Sequence, residues 1–536
     1  MRLLQRLHAL QTRHGYLRDD DVKRLSREVG VPLYHLQGLI SFYPHFRREP
    51  PPEIRISLCR DMCCWLAGGE ETGRQVRQRW ESKPGVEITE VSCLGRCEAA
   101  PAAALNDTPV SAALLADTEE IEQLPSLFAS HRARHWKSDP YAAPGQRYGV
   151  IRDLLGSDDA SAAARVLAEL KESGLRGEGG AGFPTAAKWQ LVREQDRTPK
   201  YVICNADESE PGTFKDRVLL SDCPHLVIEG MLVAGLVVGA GRGIVFLRHE
   251  YGPEREVLEA ELDRARRSGL VGESVGGSGF DFDIEIFISP GGYILGEETA
   301  LLESLEDKRG EPRNKPPFPA THGLDGLPTL INNVETLAKV PAIVLGGGAN
   351  WKAQGKPDFS GLKFIAVSGH VERPGVYEVS VGTSVAELIE QAGGVKDGRK
   401  LKGFAPGGAS SNFLPASMAH VPLDFDALAS AGSMLGSGAV LVVAEGTDMA
   451  ALAANVLRFF RNESCGKCVP CRVGSEKAVG LVDAVRRGDL DASALDVLPE
   501  LGETLQLTSI CGLGQVALNP VLSAMEHWPE EFGRMS

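Results

Sequence analysis

Three cysteines near the C-terminus, each separated from the next by two residues, constrain this chain more than any other feature. Cys465, Cys468 and Cys471 lie in the run ESCGKCVPCR, and a fourth cysteine, Cys511, follows further along the chain. Thiolates at this pitch around a tight turn can hold three irons of one cubane, and a distant fourth thiolate closes the site. Structural zinc sites instead usually combine two CxxC knuckles. The pattern therefore predicts a 4Fe-4S cluster, with zinc as the alternative.

A second group of cysteines lies near the N-terminus. Cys59 and Cys64 form one pair, Cys93 and Cys97 form another, and each pair follows the end of a predicted strand. Two pairs on two loops suit a 2Fe-2S cluster, in which each iron takes two thiolates. Zinc and a redox dithiol are alternatives, but neither pair has the CxxC spacing typical of such sites. Cys63 lies beside Cys64 and is a possible substitute for it.

Composition limits the class of protein to which this chain can belong. Its 536 residues carry a formal net charge of −15, which argues against general nucleic-acid binding because that requires a basic surface. The most apolar long run, 226–240, contains Glu229 and is too short for a membrane span of ~20 residues. No apolar signal segment lies near the N-terminus, so we expect a cytoplasmic protein whose grouped cysteines bind metal.

Changes in the hydrophobic pattern divide the chain into successive units. Residues 1–52 have a helical pattern that ends at three prolines, and 53–140 contain the strands that lead to the N-terminal cysteines. Helical and strand patterns alternate over 141–350, which predicts an α/β layered sheet. Residues 351–440 begin with a Gly-rich break and continue mostly as short strands, and 441–536 are helical again.

A glycine-rich run, RGEGGAGFP, contains Gly177 and Gly179. A Rossmann fingerprint would require a preceding strand, whereas a helical pattern at 160–173 precedes this run. We therefore expect a loop whose backbone N–H groups approach a phosphate or a flat ring, next to the positive end of a helix that begins near Pro184. Lys188 on that helix could reach a phosphate. A simple turn is the alternative.

Carboxylates follow a short apolar strand at 201–204. Asp207, Glu208 and Glu210 lie within four residues of one another, after Asn205. Ligands bind at strand ends in α/β sheets, so this acidic segment is a candidate ligand site. A solvated acidic turn is the alternative.

A second carboxylate pair, Glu297 and Glu298, follows Gly296. A carboxylate that accepts hydrogen bonds from both ribose hydroxyls selects NAD over NADP, because it repels a 2′-phosphate. Lys315 and Phe318 supply a cation and an aromatic ring. Further along the chain, Asn332 and Asn333 supply amides at a predicted helix start.

Taken together, these segments resemble the NADH-oxidising flavoprotein subunit of respiratory complex I. Similar subunits occur in NAD-reducing hydrogenases and in NAD-dependent molybdenum or tungsten formate dehydrogenases. The resemblance covers residues 150–536 and rests on the runs RGEGGAGFPTAAKW, CNADESEPGTFKDR, GEETALLESLE, KPPFPA, INNVETLA and ESCGKCVPCRVG. Residues 1–140, with the run CLGRCEAAPA, resemble the small 2Fe-2S subunit of the same complexes. The two subunits are fused here.

The resemblance implies a multidomain α/β fold. Residues 1–52 are expected to form an N-terminal helical bundle and 53–140 a thioredoxin-like 2Fe-2S domain. An FMN/NAD(H)-binding α/β domain is expected at 141–350, and a ubiquitin-like β-grasp domain at 351–440. Residues 441–536 are expected to form a C-terminal helical bundle that carries the 4Fe-4S cluster.

The resemblance also implies roles for the motif residues. The positions that match the FMN site of the family are Gly177, Gly179, Lys188, Asn205, Asp207, Glu208, Tyr293, Gly296, Glu297, Asn332 and Asn333. Glu210 is expected to face the nicotinamide, so we predict catalytic roles for Glu210 and Glu208. Glu298 is expected to bind the adenosine ribose, and Lys315 and Phe318 to line the adenine side.

The implied activity is hydride exchange between NAD(H) and FMN, followed by transfer of single electrons through the 4Fe-4S and 2Fe-2S clusters. The expected partner is the catalytic subunit of a molybdenum or tungsten formate dehydrogenase, with further iron–sulfur clusters. A hydrogenase or a complex I-like dehydrogenase is the alternative partner. An alternative of another class is an electron-relay scaffold that has lost its flavin.

Overall fold

The structure is a computed structural model that describes residues 2–129 and 131–533. Its N-terminal unit consists of helices, as the sequence predicts. Leu3, Leu4 and Leu7 bury one face of the first helix, which ends at Gly15 with a left-handed φ of 77°. Glycine adopts this conformation without a side-chain clash. The helices are α1 (Leu3–His14), α2 (Asp19–Val29) and α3 (Leu33–Phe42).

The second unit contains a four-stranded sheet in the order β2-β1-β3-β4. Its elements are β1 (Ile54–Cys59), α4 (Met62–Leu66), α5 (Gly69–Trp80), β2 (Val86–Val91), β3 (Ala102–Leu105), β4 (Thr108–Ser111) and α6 (Ala112–Asp117). β1 and β2 are parallel, and Cys59 lies opposite Val91. The carboxyl ends of parallel strands share one sheet edge, so the two N-terminal cysteine pairs meet there.

The central unit contains a four-stranded, fully parallel sheet in the order β7-β6-β5-β8. Its elements are α7 (Gly149–Leu155), α8 (Asp159–Ser173), α9 (Thr185–Arg193), β5 (Tyr201–Ala206), α10 (Lys215–Asp222), α11 (Pro224–Val238), β6 (Arg242–Leu247), α12 (Gly252–Arg267), β7 (Asp283–Ile288), α13 (Glu298–Leu305), α14 (Pro319–His322), β8 (Thr329–Asn333), α15 (Val334–Gly346) and α16 (Gly348–Lys352). The predicted alternation of helices and strands is confirmed.

The third unit contains a five-stranded mixed sheet in the order β10-β9-β13-β11-β12. Its elements are β9 (Leu362–Gly369), β10 (Gly375–Ser380), α17 (Val385–Gln391), β11 (Leu401–Ala405), β12 (Leu414–Pro415), α18 (Phe425–Ser430) and β13 (Ala439–Ala444). The fully buried strand β13 lies between β9 and β11. The sheet therefore continues beyond residue 440, where the sequence pattern placed the end of this unit.

The C-terminal unit is helical, as predicted. Its helices are α19 (Met449–Glu463), α20 (Val469–Arg486), α21 (Leu498–Thr508), α22 (Gly512–Val516) and α23 (Asn519–His527). Cys468 immediately precedes α20 and Cys511 immediately precedes α22. These helix starts therefore position two of the four C-terminal cysteines.

Within the described residues, no single helix combines the length and apolar character of a membrane span. Only α10 and α11 together satisfy that test, and they are bent by 95° at their junction.

A network of buried ion pairs joins the central unit to the third unit. Lys339 on α15 lies 2.6 Å from Glu178 and 2.7 Å from Glu335. Lys363 on β9 lies 2.5 Å from Glu178, and Lys215 on α10 lies 2.8 Å from Glu335. All five side chains are buried. Because Glu178 belongs to the glycine-rich loop, the network fixes that loop to both units.

We expect Glu335→Gln to lower the free energy of unfolding by about 3–5 kcal/mol, because it leaves buried lysines without their shared counter-charge. The lysines hold the pKa of Glu335 well below its usual range against the effect of burial. Urea denaturation followed by circular dichroism measures the change.

Asp153→Asn is the control, since Asp153 forms an ion pair of 2.6 Å with Arg165 that is largely exposed. Its removal should cost less than about 1 kcal/mol. Equal stability losses in the two variants would contradict the role assigned to the buried network.

Candidate functional site

The glycine-rich loop follows α8 rather than a strand, as expected. The Gly177 N–H donates to the Phe183 carbonyl at 2.8 Å, and the Gly182 N–H donates to the Gly177 carbonyl at 3.2 Å. A Cβ on Gly179 would lie 3.2 Å from the Cβ of Asn333. The loop therefore has no room for side chains on this face, which fits the close approach of a flat ring or a phosphate.

Two predicted residues lie at the carboxyl end of β5. The Asn205 amide donates to the Gly296 carbonyl at 2.8 Å, which ties the two acidic segments together. Asp207 accepts from Ser209 at 2.5 Å through Oδ1. Its Oδ2 is buried without a hydrogen bond of good geometry from the residues that the structure describes, and the Ser289 side chain lies close to the carboxyl group. Burial raises the pKa of Asp207 to about 6. The Oδ2 atom is a natural acceptor for a hydroxyl or imide of a ligand.

The carboxylate of Glu208 forms its hydrogen bonds with other groups of the protein. Its carboxylate accepts from the backbone N–H groups of Asp216 at 2.9 Å and Arg217 at 3.0 Å. The Tyr251 hydroxyl donates to the same carboxylate at 3.0 Å. Glu208 thus anchors the strand end to the start of α10. These contacts show that both carboxylate oxygens of Glu208 bind the protein, and the catalytic role of Glu208 stays a prediction.

Glu210 lies where the central unit meets the third unit. Its Oε1 accepts from the Ser410 N–H at 2.7 Å. The hydroxyl groups of Ser410 and Tyr293 are 3.3 Å apart. Burial raises the pKa of Glu210 to about 7. Glu210 is therefore a carboxyl group held between two units with a protonation equilibrium near neutral pH.

Glu297 and Glu298 differ in their contacts, since one binds a helix start and the other lies near two lysines. Glu297 caps α13, accepting from the backbone N–H of Thr299 at 2.8 Å. Glu298 lies 3.0 Å from the Lys315 ammonium and 3.5 Å from the Lys188 ammonium. Burial raises the pKa of Glu298, but the two lysines outweigh it and hold that pKa below its usual value. Residues from three predicted motifs thus meet at one ionised carboxylate.

Two large aromatic rings are exposed at the starts of α9 and α14, and α9 also carries Lys188. Phe318 precedes α14 and is 56% exposed, and Phe183 precedes α9 and is 49% exposed. α9 and α14 pack against each other. Phe183 is not among the predicted binding residues. The available signal was a bulky ring inside a loop of small residues, which suits stacking on a flat base.

The two asparagines serve different partners. Asn332 accepts from the Trp189 indole at 2.9 Å, which leaves its own amide N–H₂ group available. Asn333 caps α15 by accepting from the Glu335 N–H at 2.9 Å, and donates to Asp216 at 2.6 Å. Asn333 therefore binds neighbouring protein groups and stabilises the start of α15. Asn332 retains its amide N–H groups as donors for a ligand.

The four C-terminal cysteines come together as predicted: Cys465, Cys468, Cys471 and Cys511. The Ile510 N–H donates to the Cys468 sulfur at 3.4 Å. A Cβ on Gly514 would lie 3.1 Å from the Cβ of Cys471, so the segment after Cys511 packs directly on the cysteine ladder. A donor set made only of thiols fits an iron–sulfur cubane.

The four N-terminal cysteines also come together: Cys59, Cys64, Cys93 and Cys97. The sulfurs of Cys93 and Cys97 are 3.4 Å apart. Backbone N–H groups donate to three of the sulfurs: Ala102 to Cys64 at 3.4 Å, Gly95 to Cys93 at 3.3 Å and Gly212 to Cys97 at 3.4 Å. Such N–H···S bonds stabilise cluster-bound thiolates. Since Gly212 belongs to the central unit, two units complete this site.

Among residues 2–129 and 131–533, no group of three His, Cys, Asp or Glu side chains has the geometry to hold a single metal ion.

Glu463 connects the two cysteine sites with the acidic segments. One of its oxygens accepts from the Tyr293 N–H at 2.9 Å, and the other accepts from the Ser92 hydroxyl. The Tyr293 ring packs at 5.0 Å from the ring of Phe459 on α19. Ser92 precedes Cys93, and Glu463 lies just before Cys465. The three candidate sites therefore form one continuous region.

Family models match four parts of the chain. A thioredoxin-like 2Fe-2S ferredoxin model matches residues 1–124, and the Nuo51 FMN-binding domain matches 170–342. An SLBB domain matches 364–411, and the iron–sulfur binding region of NADH-ubiquinone oxidoreductase F matches 451–535.

The chain is 44% identical to an NADH-quinone oxidoreductase subunit of Rhizobium meliloti over 72% of its own length and 92% of that protein. It belongs to the family of NADH-oxidising FMN and iron–sulfur subunits. We refer to members of this family as diaphorase subunits. One component of the NADP-reducing hydrogenase of Solidesulfovibrio fructosivorans is 42% identical over 69% of the chain and 75% of that component.

A solved structure extends the match to both fused halves. A chain of an NAD⁺-reducing nickel–iron hydrogenase superposes with a TM-score of 0.86 at 32% identity, covering 98% of this chain and 92% of that one. The diaphorase fold expected from the resemblance is thus confirmed, with a thioredoxin-like 2Fe-2S domain, an FMN-binding domain, a β-grasp-like SLBB domain and a helical 4Fe-4S region. FMN and both clusters are the cofactors of these domains.

We expect Glu463→Ala to speed hydrogen exchange at the Tyr293 amide and in residues 92–97, because the variant removes the acceptor that joins them. The lost charge-assisted bonds should lower stability by about 2 kcal/mol. Hydrogen exchange followed by mass spectrometry measures the change.

Ser92→Ala is the matched control for this diaphorase. It removes only the bond to the 2Fe-2S loop, so exchange should rise in residues 92–97 while the Tyr293 amide stays protected. An unchanged Tyr293 amide in Glu463→Ala would show that Glu463 does not join the sites.

Proposed function

We propose that this diaphorase subunit exchanges hydride with NAD(H) and passes electrons singly through its clusters to a partner subunit. The observation that carries the proposal is the carboxylate of Glu298, set between Lys188 and Lys315 beside the glycine-rich loop. A hydrogen-bond acceptor for ribose and cations for phosphate meet there in one cleft. FMN, when bound, supplies the conversion of a two-electron hydride into single electrons.

The residues proposed to hold FMN surround the glycine-rich loop. Gly177 and Gly179 offer backbone without side chains, and Asn332 and Asp207 offer a donor and an acceptor. The Asn205 amide binds the Gly296 carbonyl and so fixes the separation between β5 and the segment that carries Gly296. Asn205 and Asn332 lie on strands of the sheet, Asp207 directly follows β5, and the glycine-rich loop is fixed by the ion pairs of Glu178.

The residues proposed to hold NAD(H) lie on the outer side of the same cleft. Glu298 accepts from the ribose hydroxyls, and Phe183 and Phe318 offer faces to the adenine ring. Glu210 faces the nicotinamide, where its ionised form favours the positively charged oxidised ring by simple electrostatics. Lys188 is released from Glu298 when a phosphate competes for it.

Electrons are proposed to leave at the C-terminal cysteine site. Three apolar side chains are exposed near it: Val469 at 59%, Val473 at 55% and Leu507 at 74%. Val469 follows Cys468 directly, and Leu507 lies shortly before Cys511. Apolar side chains exposed at such a position mark a protein interface. They support docking of a partner with further iron–sulfur clusters, close enough for electron transfer.

The parent complex is proposed to be a cytoplasmic dehydrogenase. The sequence favours a molybdenum or tungsten formate dehydrogenase, because the two diaphorase subunits are fused in such enzymes. The full-length likeness to the hydrogenase chain supports a hydrogenase equally. Affinity purification of the tagged chain from its native cells distinguishes them by the metal and the activity of the largest co-purifying subunit.

The flavin-free scaffold is a less favoured alternative. The open glycine loop and the buried Asp207 Oδ2 would serve no purpose without a ligand. A flavin absorbance band in the purified chain excludes the scaffold, and a chain without flavin that still carries clusters would replace the proposed activity.

We expect Cys468→Ala to prevent reduction of the 4Fe-4S cluster by NADH while leaving the flavin band bleached by NADH. The reason is that Cys468 is a proposed ligand of that cluster, and its sulfur accepts from the Ile510 N–H, which lies outside the proposed flavin residues. Electron paramagnetic resonance and visible absorbance measure the two effects.

Cys223→Ala is the matched control, because Cys223 is buried outside both cysteine sites. It should retain the 4Fe-4S signal and the flavin band. Loss of flavin in Cys468→Ala would assign the C-terminal cysteines a structural role instead.

We expect Glu298→Gln to raise the ratio of kcat/KM with NADPH to kcat/KM with NADH by about tenfold, equivalent to ~1.4 kcal/mol. The neutral amide no longer repels a 2′-phosphate. Glu303→Gln on the same helix is the control, because Glu303 pairs with Arg313 instead. An unchanged ratio in Glu298→Gln would refute the ribose assignment.

A further inference from the structure

A fifth thiol lies in the N-terminal cysteine site. Cys63 on α4 is 3% exposed, and its sulfur lies 3.3 Å from the hydroxyl of Ser368 on β9. Cys63 also neighbours Cys97 closely enough to raise the pKa of the Cys97 thiol. Among the predicted ligands, Cys64 instead contacts Cys59. The two adjacent cysteines therefore point to opposite ends of the site.

The helical geometry of α4 explains this separation. Successive side chains on a helix point about 100° apart, since one turn takes about 3.6 residues. Cys64 consequently points toward β1, while Cys63 points toward the third unit. The five sulfurs form a chain of contacts in the order Cys64, Cys59, Cys93, Cys97, Cys63. The neighbour of Cys63 in space is thus Cys97, although its neighbour in sequence is Cys64.

The surroundings of Cys63 resemble those of the predicted ligands. Cys64, Cys93 and Cys97 each accept one backbone N–H. Cys63 has the Ser368 hydroxyl at a comparable distance, in a position to donate to a thiolate. Ser368 is fully buried, so water does not compete for this contact. Ser368 therefore gives Cys63 a polar partner, as the backbone N–H groups do for the other three sulfurs.

We propose that Cys63 is a reserve ligand of the 2Fe-2S cluster that takes the coordination position of Cys97 when the Cys97 thiolate is lost. In this exchange the Cys63 S–H bond breaks, its proton leaves to solvent and a sulfur–iron bond forms. The bond from Cys97 to the same iron breaks, and that thiolate takes up a proton. No electron is transferred, and the charge of the ligand set is unchanged.

The reserve position gives the cluster a second way to keep four thiolate ligands. Protonation and dissociation of Cys97 would otherwise open one iron to water. The inference rests on the 2Fe-2S domain and not on the proposed exchange with NAD(H), so either can fail alone.

The test uses the whole chain in three variants: Cys97→Ala, Cys63→Ala/Cys97→Ala and Cys64→Ala. Alanine cannot bind iron, so any cluster left in Cys97→Ala needs another ligand. We expect Cys97→Ala to retain the reduced 2Fe-2S resonance with shifted g values, and the double variant to lose it. Cys64→Ala should lose the resonance although Cys63 is present, because Cys63 lies at the other end of the site.

Iron, acid-labile sulfide and FMN contents, with the 4Fe-4S resonance, show that each variant is folded. Loss of the 2Fe-2S resonance in a folded Cys97→Ala would overturn the proposal, as would its retention in the double variant. Retention in Cys64→Ala would assign Cys63 to the other end and also overturn it.

Should Cys97→Ala fail to fold, Cys97→Ser with and without Cys63→Ala replaces it. We expect the resonance of Cys97→Ser to change or disappear when Cys63 is removed. Identical resonances in these two variants would show that the serine, and not Cys63, binds the iron.

Discussion

The ion pairs of the buried Glu178 carboxylate are the interactions on which the position of the glycine-rich loop depends. Glu178 belongs to that loop, yet its partners are Lys339 on a helix of the central unit and Lys363 on a strand of the third unit. An isolated charge at this depth would cost several kcal/mol, and only close partners offset that cost. The loop is thus held by a contact that tolerates little displacement.

The third unit consequently helps to build the cleft. Phe425 packs on the glycine-rich loop, since a Cβ on Gly182 would lie 3.1 Å from its ring. The Ser410 N–H donates to Glu210. If the buried ion pairs were lost, both contacts would shift together, because they belong to the same unit as Lys363. The position of the glycine-rich loop relative to Glu210 is therefore set by buried ion pairs, one member of which, Glu178, belongs to the loop itself.

The sequence predicts what is local and misses what depends on distant contacts. The cysteine ladder and the carboxylates after β5 are short runs, so their spacing and position at a strand end are readable before any fold is known. The orientation of Cys63 follows from the phase of a short helix, which the sequence does not specify. The commitment of Glu208 to Tyr251 and the bridge formed by Glu463 join residues that are far apart in the chain. No local pattern contains that information.

The segment that joins the two halves explains why fusion suits this site. Trp136 donates to Asp222 at 2.9 Å, and the N–H groups of Lys137 and Ser138 donate to Glu378 at 2.6 and 2.9 Å. The connection is therefore bound to both the central and the third unit over this stretch. A tether makes docking of the 2Fe-2S domain intramolecular, with effective concentrations on the order of millimolar for short linkers. A tether already bound along its path loses less entropy when the domain docks. The Glu463 carboxylate then joins the 2Fe-2S loop to Tyr293, in addition to the buried ion pair of Arg96 with Glu254 that links the same two units.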